Sequence, residues 1–194
     1  MRKNDKVILI LGCLLLAVGI SLFFLLQIQT RRAEGKNERI VQSMESILTD
    51  KRQGTKDLER DSEMPALELY GEDFIALLEI SAYGLKLPIG KNWNKTQVVS
   101  YPCRFHGSVY DGTLVVGGYD QTGQFDFFDR IYPNVTIKVT DMTGCTFSYV
   151  VERVDRSSTA QADVLMNEES DLTLFVRDAQ LLEYIILRCV MKNS

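Results

Sequence analysis

Histidine is almost missing from this sequence: His106 is the only one in 194 residues. The four cysteines, Cys13, Cys103, Cys145 and Cys189, show no CxxC spacing. Structural and catalytic metal sites need several such ligands close together, so neither a metal nor any other cofactor is expected. Cys13 falls in an apolar run, and pairing any two of the other three would leave an odd thiol. No basic stripe interleaved with aromatics is present, and the net charge is −4. Nucleic acid is therefore not an expected partner. No internal repeat is visible. The length suits one globular domain with an appendage.

What is present begins with a long apolar run. Val7 to Ile28 carries no charge, and only Ser21 and Gln27 are strongly polar. As a helix, its 22 residues would cover about 33 Å, enough for a hydrocarbon core of about 30 Å. The run is long for a signal-peptide core and lacks an A-x-A cleavage site, so an uncleaved membrane anchor is expected. Arg2, Lys3 and Lys6 precede it, while Arg31, Arg32, Lys36 and Arg39 follow it. The charge balance alone leaves orientation nearly even. A short inner tail with an exported globular part is the simpler topology.

Residues 30–66 form a charged, aromatic-poor linker. Within it Ile40, Val41, Met44, Ile47 and Leu48 fall on one face of a short helix. The expected organisation is residues 1–29 as tail and transmembrane anchor, 30–66 as a membrane-proximal stalk, and 67–194 as a β domain. In that domain Phe74–Ile80, Leu85–Ile89, Leu114–Val116, Val135–Thr140, Thr146–Val154, Leu172–Val176 and Tyr184–Val190 read as strands. Asp141-Met142-Thr143-Gly144 reads as a hairpin turn. Gln124–Arg130 suits a helical turn with Phe125, Phe127 and Phe128 inward, and Asp163–Glu169 a loop or single turn. Many short strands with little helix point to a mostly β, closed barrel of about eight strands with short helices.

Several segments, in order, resemble the sortase family, the membrane-anchored cysteine transpeptidases of Gram-positive bacteria. They are Leu78-Glu79-Ile80 with Gly84-Leu85-Lys86-Leu87-Pro88-Ile89, Pro102 to Ser108, and Leu114 to Asp120. Gln124-Phe125, Phe128 to Ile131, Thr140 to Gly144, Asp171 to Phe175 and Arg188-Cys189 complete the set. The resemblance implies a sortase-like barrel, a plasma-membrane location with a single pass and an extracellular domain. The partners it implies are a surface-protein or pilin peptide, or an active sortase.

Sortase chemistry uses a cysteine thiolate as nucleophile, a histidine as proton shuttle and an arginine as oxyanion donor. On the matching motifs this chain carries Arg177 at the cysteine position and Tyr119 at the histidine position. A gapless count puts Tyr184 at the arginine position. Arg188 is a weaker candidate for that role, and a one-residue slip would place Glu183 there. Arginine is not a nucleophile, and tyrosine, with a pKa near 10, is a poor shuttle at neutral pH. A catalytically inactive protein with a binding or regulatory role is therefore expected. The alternative is an active transpeptidase with an unusual site, such as Cys103 paired with His106. In the inactive case Tyr119, Asp120, Arg177 and Arg188 line a possible ligand cleft. Arg177 would either receive a carboxylate there or plug the cleft, paired to Asp120 or Asp178.

Overall fold

A computed structural model describes residues 14–21, 23, 35, 37–49, 63–166, 169–178 and 181–192. The chain divides into two compact units, Met1–Lys36 and Asn37–Ser194. In the first, residues 14–21 are helical, and Leu14, Leu15, Leu16, Val18 and Ile20 are exposed. Most of the expected anchor lies outside the described residues. Among those described, no helix is long and apolar enough to cross a membrane.

Among the described residues the second unit holds helix α1 (residues 37–49), a short helix α2 (Ala162–Leu165) and nine strands. The strands are β1 (Leu67–Leu69), β2 (Glu72–Ile80), β3 (Leu85–Gly90), β4 (Cys103–His106) and β5 (Leu114–Tyr119). They continue with β6 (Thr136–Asp141), β7 (Thr146–Ser157), β8 (Leu172–Arg177) and β9 (Tyr184–Met191). Their order is β1-β2-β3-β4-β5-β8-β9-β7-β6, and a further β2–β6 pairing closes eight of them into a barrel. The β3–β4 and β5–β8 pairs are parallel and the others antiparallel. Closure removes the open edges that an isolated sheet would present.

Alternation of side chains explains the core. Leu114 and Val116 on β5, Leu172, Leu174 and Val176 on β8, and Ile185, Leu187 and Cys189 on β9 point into one buried interior. The turns follow local chemistry. Tyr70 and Gly71, both at positive φ, join β1 to β2 in a two-residue hairpin. At the β6–β7 hairpin, Asp141 Oδ1 accepts from Thr143 N–H at 2.9 Å and Cys145 N–H at 3.0 Å. Gly144 there has φ +92°. The strands expected from periodicity are all present, and Phe125, Phe127 and Phe128 are buried as expected.

Two expectations need correction. The helix at 37–49 is not part of a free stalk. Ile40, Val41, Met44 and Leu48 pack against Phe74, Leu77, Val98, Tyr101 and Met142, so the compact unit starts at Asn37 rather than at residue 67. The same contact explains why Phe74 to Leu78 in β2 form an unbroken apolar run. Ile75, Ala76, Leu78 and Ile80 face the barrel interior, while Phe74 and Leu77 face α1. The second correction concerns Cys103, which the expected strands leave out. It opens β4, a strand of four residues with an irregularity between Arg104 and His106 that hides any period-2 pattern.

Candidate functional site

The three positions singled out as a degenerate triad lie in one row. Tyr119 at the end of β5 is in register with Arg177 at the end of β8, and Arg177 is in register with Tyr184 at the start of β9. Neighbouring strands lie about 4.8 Å apart. The row is thus about 10 Å wide, with a guanidinium-bearing residue between two phenols on the outer face of the barrel. Tyr184 rather than Glu183 stands opposite Arg177, and Glu183 precedes the strand. Tyr119 is 48% exposed, Arg177 is exposed and Tyr184 half-buried.

The turn after β5 fixes one end of the row. Gln124 is fully buried; its Oε1 accepts from the Tyr119 backbone N–H, and its Nε2 donates to Val98 O at 3.1 Å. A side chain at Gly118 would strike the Phe125 ring. Asp120 follows in this turn and is half-buried. Asp178 is buried, lies 3.8 Å from Arg156 and accepts from Leu181 N–H at 2.9 Å. Among the described residues neither aspartate is paired with Arg177, and no ion pair or hydrogen bond engages its guanidinium. The salt bridge considered above for a plugging Arg177 is therefore not formed among the described residues.

Below the row the same face is filled. The next rung is Gly117–Phe175–Ile186, also in register. Trp93, from the β3–β4 connection, packs on Phe175 with ring centroids 5.5 Å apart. Phe105 from β4 completes a triangle, at 5.6 Å from each of the other two rings. A Cβ on Gly117 would collide with Trp93 Cζ3 and Phe175 Cζ. Val115, Leu165 and Ile186 join this cluster, with Ala160, Val164 and Tyr184 at its margin. The packing of Trp93 and Phe105, and the place of the single turn α2 beside them, were not readable from the sequence. Each lies in a connection or a four-residue element too short to carry a periodic signal.

Arg188 does not join Tyr119 and Arg177. It lies one further rung down, opposite Thr173, and is only 4% exposed. Its Nε donates to Asp155 Oδ2 at 3.1 Å, and its Nη1 to Leu165 O at 2.8 Å and Thr173 Oγ1 at 3.2 Å. Its Nη2 donates to Val164 O. The guanidinium is thus committed to the protein, fastening α2 over β8 and β9. It is not a cleft residue.

The barrel thiols are sheltered. Cys103, Cys145 and Cys189 are all buried, and none of them is in a disulfide. Burial pushes the Cys103 thiol up to about 11, and burial raises Cys189 further despite the nearby Arg188 charge. Neither is poised as a thiolate. Cys103 packs with Phe74, Tyr101 and Met142, while His106 is exposed three residues away, roughly 10 Å along the strand. They do not form a Cys–His pair. Among the described residues no cluster of His, Cys, Asp or Glu could hold a metal.

No protein-family model and no curated protein matches the sequence. Solved structures do match. Sortase A from Corynebacterium diphtheriae is 16% identical, with 86% of this chain and 93% of that one covered at a TM-score of 0.56. For sortase C1 of GBS pilus island 1 the figures are 15%, 85%, 89% and 0.57. For the Clostridium perfringens sortase D5 transpeptidase they are 18%, 76%, 99% and 0.53. The chain has a sortase fold. At these identities the likeness establishes the architecture and leaves activity to the site. In this sortase-fold chain the residues of the row are Tyr, Arg and Tyr.

Proposed function

We propose that this chain is a sortase-fold protein without sortase catalysis, serving as a binding or regulatory component at the cell surface. One observation carries the reading. Arg177 stands at the position where the resemblance places the nucleophilic cysteine, and the barrel's own three thiols are all buried. Arginine keeps its proton at physiological pH and cannot attack a carbonyl. Cys103 and Cys189, whose burial raises their pKa, are likewise poor nucleophiles. The long apolar run at Val7–Ile28 supports a single-pass anchor, and the sortase resemblance suggests that the barrel lies outside the plasma membrane. Surface-protein or pilin peptides, or an active sortase, are the partners this placement suggests.

The test is turnover. The full chain in detergent micelles is incubated with a library of sorting-signal peptides and an amine acceptor, and cleavage and transfer are followed by mass spectrometry. No product is expected at any protein concentration. Alkylation mapping runs beside it: Cys103, Cys145 and Cys189 should all react slowly until the chain is unfolded in urea. Turnover that disappears when one of these cysteines is replaced, together with one fast-reacting thiol, would establish the active transpeptidase instead.

A further inference from the structure

The outer face offers one place where a charged donor, two hydroxyls and exposed apolar side chains meet. The Tyr119–Arg177–Tyr184 row combines a guanidinium with two phenols. A carboxylate presents about four lone-pair positions, and a guanidinium fork with flanking hydroxyls can fill them. The β8–β9 connection next to the row carries Leu181 and Leu182, 61% and 64% exposed. Leu182 sits at φ +57°, a left-handed conformation unusual for leucine, in a connection tied by Leu182 N–H to Asp178 O at 3.1 Å.

Approach to this row is constrained. A peptide running down the strands would meet the Gly117–Phe175–Ile186 rung, where Trp93 and Phe105 already lie. The Tyr119–Phe125 turn closes the β5 side, held by Gln124. The filled rung below and the turn on the β5 side favour an occupant that arrives end-on from the barrel rim. We propose that the row binds the C-terminal carboxylate of a partner peptide whose last residues are apolar, with Leu181 and Leu182 covering those side chains. A chain end brings charge and apolar surface to one point without continuing into the filled face. The positive centre selects the carboxyl end over the amino end. This inference rests on the non-catalytic reading of the same site.

Trp93 is the chain's only tryptophan and packs on Phe175, two residues from Arg177. Its fluorescence therefore reports on the row. The full chain in detergent micelles is titrated with three five-residue peptides: one ending in Leu-Leu with a free carboxylate, its C-terminal amide, and an amidated peptide of the same length with an internal Glu. The free acid should bind at least tenfold more tightly than either amidated peptide. Arg177→Ala should weaken it about tenfold, Arg177→Lys should restore part of the loss, and wild-type and variant should show matching circular dichroism. Equal binding of acid and amide, or no binding of any of the three, overturns the proposal. So does an internal-Glu peptide that binds as well as the free acid, or binding gained only in Arg177→Ala. Turnover of sorting-signal peptides would sink the non-catalytic reading whatever these titrations give. Absent turnover with no preference for the free acid sinks this inference alone.

Discussion

The β8–β9 hairpin carries two arginines on one face, and they have opposite fates. Arg177, at the rim, is exposed, and no described residue engages its guanidinium. Arg188, two rungs below, is buried and donates to Asp155, Thr173 and the carbonyls of Val164 and Leu165. Residue type and face are shared, yet the chemistry differs because the cover differs. Trp93, Phe105 and α2 lie over the lower rungs and stop short of the rim. A buried guanidinium with four hydrogen bonds to the protein is a structural fastener, whereas an exposed one keeps its donors for something else. In a sortase fold, that leaves Arg177 as the free cation on this face among the described residues.

The contrast can be broken first at its lower end. Arg188→Ala leaves the buried Leu165 carbonyl and the part-buried Val164 carbonyl without their donor, while Asp155 keeps Arg153, and each buried group left unsatisfied costs about 1–3 kcal/mol. Urea melts should show that loss, and hydrogen exchange should show α2 released. An Arg188→Ala protein as stable as wild type would mean the fastening is incidental. The next largest effect is alkaline. The Cys103 thiol is neutral in the fold and raised from 9.0 to about 11. An unfolded chain ionises it first, so its contribution is complete below about pH 9 and lost as pH rises toward 11. That two-unit difference corresponds to about 2–3 kcal/mol. Cys189, raised by burial as well, acts in the same direction. Melting temperature should therefore fall steeply above about pH 9, and Cys103→Ala should flatten part of the fall. Gly117→Ala comes third. Its new methyl meets Trp93 and Phe175, and overpacking of this kind costs about 1–3 kcal/mol. A shift in Trp93 emission should accompany it. Arg177→Ala sharpens the upper end of the comparison: an exposed, unengaged side chain should change stability by less than about 0.5 kcal/mol. A large destabilisation would show that Arg177 too is a fastener.

Much of the barrel was legible because buried strands advertise themselves. Leu172, Leu174 and Val176 alternate with Thr173, Phe175 and Arg177, and the structure divides them between interior and outer face accordingly. The Asp141–Gly144 turn was equally plain. The row itself was not readable from periodicity. Tyr119 and Arg177 meet through parallel pairing of β5 and β8, and the resemblance, rather than local pattern, suggested that they belong together. The role of Arg188 was hidden for another reason. Its acceptors Val164 and Leu165 are backbone carbonyls in a distant connection, and carbonyls leave no mark in a sequence. The apolar stripe of α1 was visible, but its partners Phe74 and Tyr101 could not be inferred from the stripe.

Among the described strands β9 comes latest in the chain, and it is central to the sheet, wedged between β8 and β7. Until it is in place, two strands present unpaired edges, and the parallel β5–β8 contact joins segments far apart in the chain. Such long-range pairing makes folding slow and the partly folded barrel sticky. Refolding should therefore be a late, single closure. A chain cut short before Tyr184 would aggregate rather than yield a smaller working barrel.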